Sequence, residues 1–224
     1  MKCLIALLSC HSLRHYQQAQ RDTWLRDVPL GIDHKFFLGK PEFTPNGDEV
    51  FLGVDDTFQG VTEKTVAVLR WGLGQGYDFV VKVDLDTFVR PVKLLQSGFE
   101  NWDYTGGLNS QGVDFASGGG GYCLSKKAMQ LIIESPIDAG PAEDLHIARV
   151  LLSHGIHLHA DNRYKFVPGS VLDDNALTYH LSSVVAWDAK YKPEWMYEAF
   201  AAKGPYVPVI EKPAPRFSRR LRRT

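Results

Sequence analysis

FVVKVDLDTFV, at residues 79–89, is the most informative segment of this 224-residue sequence. Residues 79–83 are apolar except for Lys82, which is typical of a strand buried on both faces of a mostly parallel sheet. Asp84 and Asp86 follow this strand directly. Open α/β sheets bind their ligands at the carboxyl ends of such strands. The segment therefore predicts an α/β domain with a pair of carboxylates at one edge of its sheet.

The two carboxylates are spaced so that they can converge on one divalent cation. A hard cation takes oxygen ligands and keeps positions for substrate phosphates. The same spacing is also common in strand-end turns where both acids are solvated. Here an apolar strand precedes the pair, and Phe88 and Val89 follow it, which places the acids against a core. We therefore favour a metal site over a solvated turn.

On either side of this segment, apolar strands alternate with helices. Strands are predicted at residues 3–8, 34–38 and 50–54, and helices at residues 62–72, 126–134 and 142–154. Thr62 and Ser125 are suited to cap the first two of these helices. The glycine-rich residues 104–115 predict irregular structure. The pattern is that of an α/β domain with a mixed, mostly parallel sheet between helices.

Length and composition indicate one soluble globular domain with a short tail. With 44% hydrophobic and 23% charged residues, the chain has an ordinary globular composition, and its length leaves little room for a second core. We expect the domain to span residues 1–212. Residues 213–224 form a tail with five arginines, which is typical of a solvated terminus or of a segment that contacts phosphates.

Charge and cysteine content exclude several functional classes. The formal net charge of -1 argues against general attraction to nucleic acid or anionic lipid. Cys3, Cys10 and Cys123 are an odd number without C-x-x-C spacing, so neither a disulfide framework nor a structural zinc site is indicated. The apolar run at residues 3–8 is too short for a signal sequence or a membrane span. We expect a cytoplasmic protein.

Six elements resemble, in the same order, those of one family of enzymes. KVDLDTFVRPVKLL, at residues 82–95, resembles the metal-binding segment of the β-1,3-galactosyltransferase and Fringe-like glycosyltransferases. The segments that resemble other elements of the family are RDTW, FLG and DDTFQGVTEKTVAVLRW before it, and ASGGGGYCLS and EDL after it. The resemblance extends over residues 4–180 and so over most of the chain.

This resemblance implies a fold and an activity. The fold would be the GT-A type of nucleotide-sugar-binding domain. The activity would be an inverting, metal-dependent transfer of a hexose or N-acetylhexosamine from a UDP-sugar to a hydroxyl of a glycan acceptor, with Mn²⁺ or Mg²⁺ as cofactor. Members of the secretory pathway carry an amino-terminal anchor and disulfides, which this sequence does not indicate, so we expect a microbial or viral enzyme.

The resemblance also implies roles for individual residues. Asp144 would be the general base, with Glu143 as the second candidate, although acids in a first helical turn also complement the helix dipole. The expected metal ligands are Asp84, Asp86 and His180. The expected donor-binding residues are Arg21, Asp55, Lys64, Asp84 and Leu85. The glycines expected near the acceptor or the transferred sugar are Gly118, Gly119, Gly120 and Gly121. Lys64 would pair with a donor phosphate or with Asp55.

Three alternative functions follow from other features. The arginine-rich tail suggests a transferase that acts on hydroxymethylated bases of viral DNA, because arginines bind phosphates. A non-catalytic sugar-binding module would not need both the metal carboxylates and the base. His157, His159 and Asp161 are similar to the H-x-H-x-D element of metal-dependent hydrolases, although Asn162 stands where a further histidine would be expected.

Overall fold

The computed structural model describes residues 1–138, 140, 142–202 and 204–208. The strands are β1 (Cys3–Leu8), β2 (Asp33–Leu38), β3 (Glu49–Phe51), β4 (Phe79–Asp84), β5 (Thr87–Val89), β6 (Tyr104–Gly106), β7 (Leu108–Ser110), β8 (Asp114–Ala116), β9 (Tyr122–Ser125), β10 (His159–Ala160), β11 (Tyr164–Lys165) and β12 (Thr178–His180). The α-helices are α1 (Gln17–Asp22), α2 (Val61–Gly74), α3 (Pro91–Leu95), α4 (Lys126–Glu134), α5 (Glu143–Ser153) and α6 (Glu194–Ala201). Short 3₁₀ helices cover His11–Tyr16, Trp24–Asp27, Phe58–Gly60 and Phe99–Asn101.

The central sheet is mixed and mostly parallel. Within the described residues it has seven strands in the order β10-β6-β9-β4-β1-β2-β3. Strand β9 runs antiparallel to both of its neighbours, β4 and β6, while the other neighbouring pairs are parallel. Strands β11, β12 and β5 form a smaller sheet, and β7 pairs with β8. The α/β class expected from the sequence is confirmed.

The central sheet is buried on both faces because its inner strands are apolar on both sides. In β1, Cys3, Ile5 and Leu7 belong to one core, and the residues between them belong to the other. Alternate side chains of a strand point to opposite faces. Helices α2, α4 and α5 supply apolar side chains to one core, and α1, α6 and the smaller sheet supply them to the other.

Of the two predicted helix-capping residues, one caps its helix and the other does not. Ser125 caps α4 as predicted, because its hydroxyl accepts a hydrogen bond from the amide of Ala128 at 3.2 Å. Helix α2 begins one residue earlier than predicted, with Gly60 as its N-cap. The hydroxyl of Thr62 donates to the carbonyl oxygen of Gly140 instead of capping the helix. Thr62 therefore links α2 to the segment that precedes α5.

The prediction of irregular structure at residues 104–115 was wrong. This segment contributes strand β6 to the central sheet and most of the β7–β8 hairpin. Gly106 is required there for packing, since a β-carbon at this position would lie 2.6 Å from the β-carbon of Ala116. Gly112, at the hairpin turn, has a positive φ of 76°. The glycines thus permit close strand packing and a tight turn.

Two sequence expectations concern the chain as a whole. None of the helices in the described part of the chain is long and apolar enough to cross a membrane. The expected domain boundary at residue 212 and the arginine-rich tail lie outside the described residues.

The three cysteines, Cys3, Cys10 and Cys123, are free thiols.

Candidate metal centre and adjoining cleft

A cleft of about 630 Å³ lies at the carboxyl ends of β1 and β4. Its floor includes Leu8 and Ser9 at the end of β1, and residues 84–86 after β4. Apolar side chains from Leu13, Tyr16 and Phe58 contribute to its walls. This is the sheet edge at which α/β domains bind ligands. The expected position of the site, beyond the end of the β4 strand, therefore coincides with a cavity of ligand size.

Asp84, Asp86 and His180 converge at this cleft. One ligand atom from each lies within 4.8 Å of the others, and no other such trio was found in the part of the chain that the structure describes. His180 ends β12, which pairs antiparallel with β5 so that His180 lies opposite Thr87. The pairing of these two strands brings His180 to the carboxylates, although it follows Asp86 by 94 residues.

The hydrogen bonds of His180 leave one ring nitrogen available for a cation. The hydroxyl of Ser183 lies 2.6 Å from the carbonyl oxygen of Phe166 and 2.6 Å from Nδ1 of His180. A hydroxyl has one proton and a carbonyl oxygen only accepts, so we assign the donor roles as His180 Nδ1–H to Ser183 and Ser183 O–H to Phe166. In the neutral ring, Nε2 then carries the lone pair that a metal binds.

The spacing of two of these ligands also fits a metal ion. Nε2 of His180 lies 3.0 Å from Oδ2 of Asp86. Neighbouring ligand atoms of an octahedral ion with bonds of about 2.1 Å are roughly 3 Å apart. Because the Nε2 lone pair of the neutral ring faces a carboxylate oxygen, the contact is favourable only with a cation or a proton between them. Imidazole with two carboxylates is a donor set that suits Mn²⁺.

Asp86 is held as an anion in this site. Burial by itself would raise the pKa of its carboxyl. In the metal-free site, where a protonated His180 takes the place of a cation, the charge of His180 and hydrogen bonds from His180 and Ser182 outweigh burial and hold the pKa of Asp86 below its usual range. The carboxylate form is the one that binds metals. The neighbouring residue Leu85 is buried, and its carbonyl oxygen accepts a hydrogen bond from Gln20.

Two of the four glycines predicted to approach a ligand pack against residues of the candidate site. A β-carbon on Gly119 would lie 2.2 Å from Cε1 of His180, so only glycine leaves room for the imidazole. A β-carbon on Gly118 would lie 2.5 Å from Oε1 of Glu143. Gly120 packs on the ring of Phe166, and Gly121 has a positive φ of 79°. The loop therefore shapes the metal centre through its backbone.

The two acids at the start of α5 have different environments. Glu143 is buried, and its carboxylate accepts hydrogen bonds from Lys82 at 2.7 Å and from the Tyr122 hydroxyl at 2.9 Å. Asp144 is partly exposed and accepts hydrogen bonds from the amides of Gly118 at 3.0 Å and Leu145 at 2.8 Å. Asp144 is therefore the more accessible of the two acids, although neither acid lines the cleft itself.

Lys64 lies in the cleft but pairs with a different acid from the one suggested by the sequence. It is buried, and its ammonium donates to the carbonyl oxygen of Ser9 at 2.6 Å and to Oδ1 of Asp56. Asp55 is exposed, and its carboxylate accepts hydrogen bonds from the hydroxyl and amide of Thr57. This local turn directs Asp55 away from Lys64, so the expected pairing is corrected to Asp56.

Arg21 does not line this cleft. Its guanidinium forms a bidentate pair with Asp48, at 2.7 and 2.9 Å, and lies over the ring of Phe36. The Trp24 side chain is fully buried in the core. The expected donor-binding role of Arg21 is therefore replaced by a structural one, because its charge is already paired with a carboxylate.

The hydrolase-like element is not assembled into a metal centre. The ring of His159 stacks on Trp102 at 3.8 Å, and Asp161 pairs with Arg163 at 2.6 Å. His157 is exposed. Residues 157–161 contribute to none of the trios of potential metal ligands found within the described residues. The arrangement gives no support to the hydrolase alternative.

Sequence reasoning missed the side chains that orient the candidate metal ligands. Ser182 donates to Asp86, and Ser183 accepts from His180. Tyr191 also lines the cleft, beside Tyr16. The signal that was present is the Ser-Ser pair that follows His180 after one residue, since ligating histidines are usually fixed by a second hydrogen bond.

Comparison with known proteins adds no family assignment. No protein-family model matches the sequence, and no curated protein sequence matches it either. Together, the fold and the site define an α/β domain whose Asp-x-Asp pair and histidine are compatible with binding a divalent cation.

Proposed function

We propose that this protein is an inverting, metal-dependent glycosyltransferase of the GT-A type. It transfers a hexose or an N-acetylhexosamine from a UDP-sugar to a hydroxyl of a glycan acceptor. The observation that carries the proposal is the convergence of Asp84, Asp86 and His180 on a ligand-sized cleft at the carboxyl edge of a mostly parallel sheet. The ordered motifs of the sequence supply the reaction class.

The cleft has surfaces for both parts of a nucleotide-sugar donor. Aromatic and aliphatic side chains at Leu13, Tyr16 and Phe58 offer faces for a uracil ring. The candidate metal ligands lie in the same cleft and suit a diphosphate, while the charge of Lys64 is already paired with Asp56. Its volume of about 630 Å³ falls within the range of small-molecule sites.

In the proposed reaction, one group of residues binds the cation and another residue removes the proton of the acceptor. Asp84, Asp86 and His180 would hold Mn²⁺ or Mg²⁺, and the bound cation would offset the charge that develops on the UDP leaving group. The acceptor oxygen bonds to the anomeric carbon as the bond from that carbon to UDP breaks. Asp144 takes the proton of the acceptor hydroxyl and becomes a neutral carboxylic acid. A single displacement of this kind inverts the anomeric configuration.

Asp144 is preferred to Glu143 as the base because of their hydrogen bonds. The Glu143 carboxylate is buried between Lys82 and Tyr122, where a substrate hydroxyl does not reach it. The Asp144 carboxylate is partly exposed and is oriented by two backbone amides. These two amides fix the orientation of the Asp144 carboxylate.

The experiment is a measurement of UDP release from a panel of UDP-sugars with Mn²⁺ and glycan acceptors. We expect release from one hexose or N-acetylhexosamine donor, loss of release with EDTA, and loss with Asp86→Ala. Donor binding without release from any donor and acceptor pair would instead indicate a sugar-binding module. Release stimulated only by hydroxymethylated DNA would replace the glycan acceptor with DNA. Failure to bind any UDP-sugar would contradict the proposal.

A further inference from the structure

Lys82 is a fully buried ammonium group beside the metal centre. Its side chain is 2% exposed, in a strand that is otherwise apolar up to its last residue, Asp84. Nζ lies 2.8 Å from Oδ1 of Asp84 and 2.7 Å from Oε1 of Glu143. It also donates to the carbonyl oxygen of Gly118 at 3.2 Å. The three protons of the ammonium therefore meet three acceptors, which is the condition for burying such a charge.

These three acceptors belong to three separate parts of the site. Asp84 is an expected metal ligand, Gly118 opens the glycine loop, and Glu143 begins α5. Oδ1 of the Asp84 carboxylate is paired with Lys82, and this ion pair restricts the rotation of the Asp84 side chain. Through Glu143, the same ammonium holds the first turn of α5, which carries Asp144.

We propose that Lys82 is a positioning residue that orients Asp84 for a divalent cation and fixes the first turn of α5 relative to β4. The first part concerns cation binding alone. The second part rests on the proposed function, because it concerns the position of Asp144 as the base. The sequence showed Lys82 only as an interruption of an apolar strand.

A purely structural role for Lys82 makes a different prediction. In that case Lys82 serves only to neutralise the buried carboxylate of Glu143, and removal of both charges together would leave the metal centre intact. If Lys82 orients Asp84, removal of both charges still releases the Asp84 carboxylate. The Glu143→Gln variant is the matched control, because it keeps the contact between Lys82 and Asp84.

The test is a titration with Mn²⁺, in which free Mn²⁺ is measured by electron paramagnetic resonance. Residues that orient metal ligands change metal affinity by about 10–100-fold, so we expect this loss for Lys82→Met/Glu143→Gln and a change of at most about threefold for Glu143→Gln alone. Equal affinity in the two variants would overturn the inference. Circular dichroism establishes that each variant is folded.

A second variant keeps the test decisive if Lys82→Met/Glu143→Gln does not fold. Lys82→Gln/Glu143→Gln retains hydrogen-bonding groups in the same space but removes both charges. We expect it to fold and to bind Mn²⁺ at least about tenfold more weakly than the wild type. Wild-type affinity in this variant would also overturn the inference.

Failure of this inference is distinguishable from failure of the proposed function. The Mn²⁺ titration requires no donor, acceptor or turnover. If Mn²⁺ binding depends on Lys82 while no UDP-sugar is bound or cleaved, the orienting role of Lys82 stands and the transferase proposal fails. If the wild type transfers sugar and the double variant has the same kcat at saturating Mn²⁺, the role of Lys82 in placing α5 is refuted.

Discussion

Ser183 accepts the Nδ1 proton of His180 across 2.6 Å, and it thereby fixes which ring nitrogen faces Asp86. Ser183→Ala removes this acceptor, so the ring can rotate or change tautomer. We expect Mn²⁺ affinity to fall about 10-fold, in line with other residues that orient metal ligands. Electron paramagnetic resonance of free Mn²⁺ measures the change. Ser110→Ala, on the exposed β7 strand, is the control and should bind Mn²⁺ as the wild type does.

Gly119→Ala should disrupt the metal centre directly. The new methyl group would occupy the space of the His180 ring, from which it would be 2.2 Å. We expect loss of Mn²⁺ binding, because His180 must leave its position opposite Thr87. Gly53→Ala provides the control, since a β-carbon there meets no atom within 4 Å. Unchanged affinity in Gly119→Ala would show that His180 is not a ligand.

Asp144→Asn should separate catalysis from donor binding. Asparagine keeps the size of the side chain but cannot accept a proton, and loss of a general base lowers rates by about 10²–10⁴-fold. We expect kcat to fall by this amount while the Kd for UDP with Mn²⁺, measured by calorimetry, stays unchanged. The complementary variant Asp86→Ala should lose UDP binding as well. Retained turnover in Asp144→Asn would reassign the base.

The pair formed by Arg14 and Glu49 should make stability depend on pH in the acid range. Burial would raise the pKa of Glu49, but hydrogen bonds from Arg14 and from the amide of Asn46 outweigh it and lower the pKa. Because the pKa in the folded state lies below that in the unfolded state, the stabilisation is complete above the unfolded value of about 4.3 and declines as pH falls through the folded value.

Urea unfolding at a series of pH values between pH 7 and pH 3 measures this effect. Glu49→Gln should lower the free energy of unfolding at pH 7, since it removes the charged partner of Arg14. Its stability should also fall less steeply below the unfolded pKa than that of the wild type. Parallel curves for the two proteins would assign the acid sensitivity to other carboxyls.

Tyr191→Phe should leave the fold as stable as the wild type. The Tyr191 hydroxyl is buried and has no hydrogen-bond partner within the described residues. Removing a group that makes no hydrogen bond costs little, so we expect the free energy of unfolding to change by less than about 0.5 kcal/mol or to rise. Tyr179→Phe is the contrast. Its hydroxyl donates to the Ser170 carbonyl oxygen at 2.8 Å, and its loss should cost about 1 kcal/mol.

Local patterns in the sequence were sufficient for much of the fold. The apolar run of β1 and the Ser125 cap were predicted correctly because each depends on neighbouring residues only. The Asp-x-Asp pair was placed at a strand end for the same reason. The β7–β8 hairpin was missed because its glycines serve strand packing and the turn, and the sequence alone does not distinguish these uses from irregular structure.

Long-range partners could not be predicted in the same way. Arg21 bonds to Asp48 across 27 residues, and no spacing rule links the two. Lys64 bonds to Asp56 instead of Asp55 because a turn at Thr57 decides which of two adjacent acids faces inward. His180 was predicted as a metal ligand from the family resemblance alone, while its contact with Asp86 depends on the pairing of β12 with β5.

That strand pairing has a consequence for the order of events during synthesis. Asp86 leaves the ribosome 94 residues before His180, and β5 has no partner strand until β12 has been made. Closing so long a segment is entropically costly and comes late in folding. A nascent or truncated chain that ends before residue 178 would therefore fold much of the central sheet without being able to capture a cation. If the proposed metal site is correct, Mn²⁺ binding would report that the chain has been made through His180 and that β12 has paired with β5.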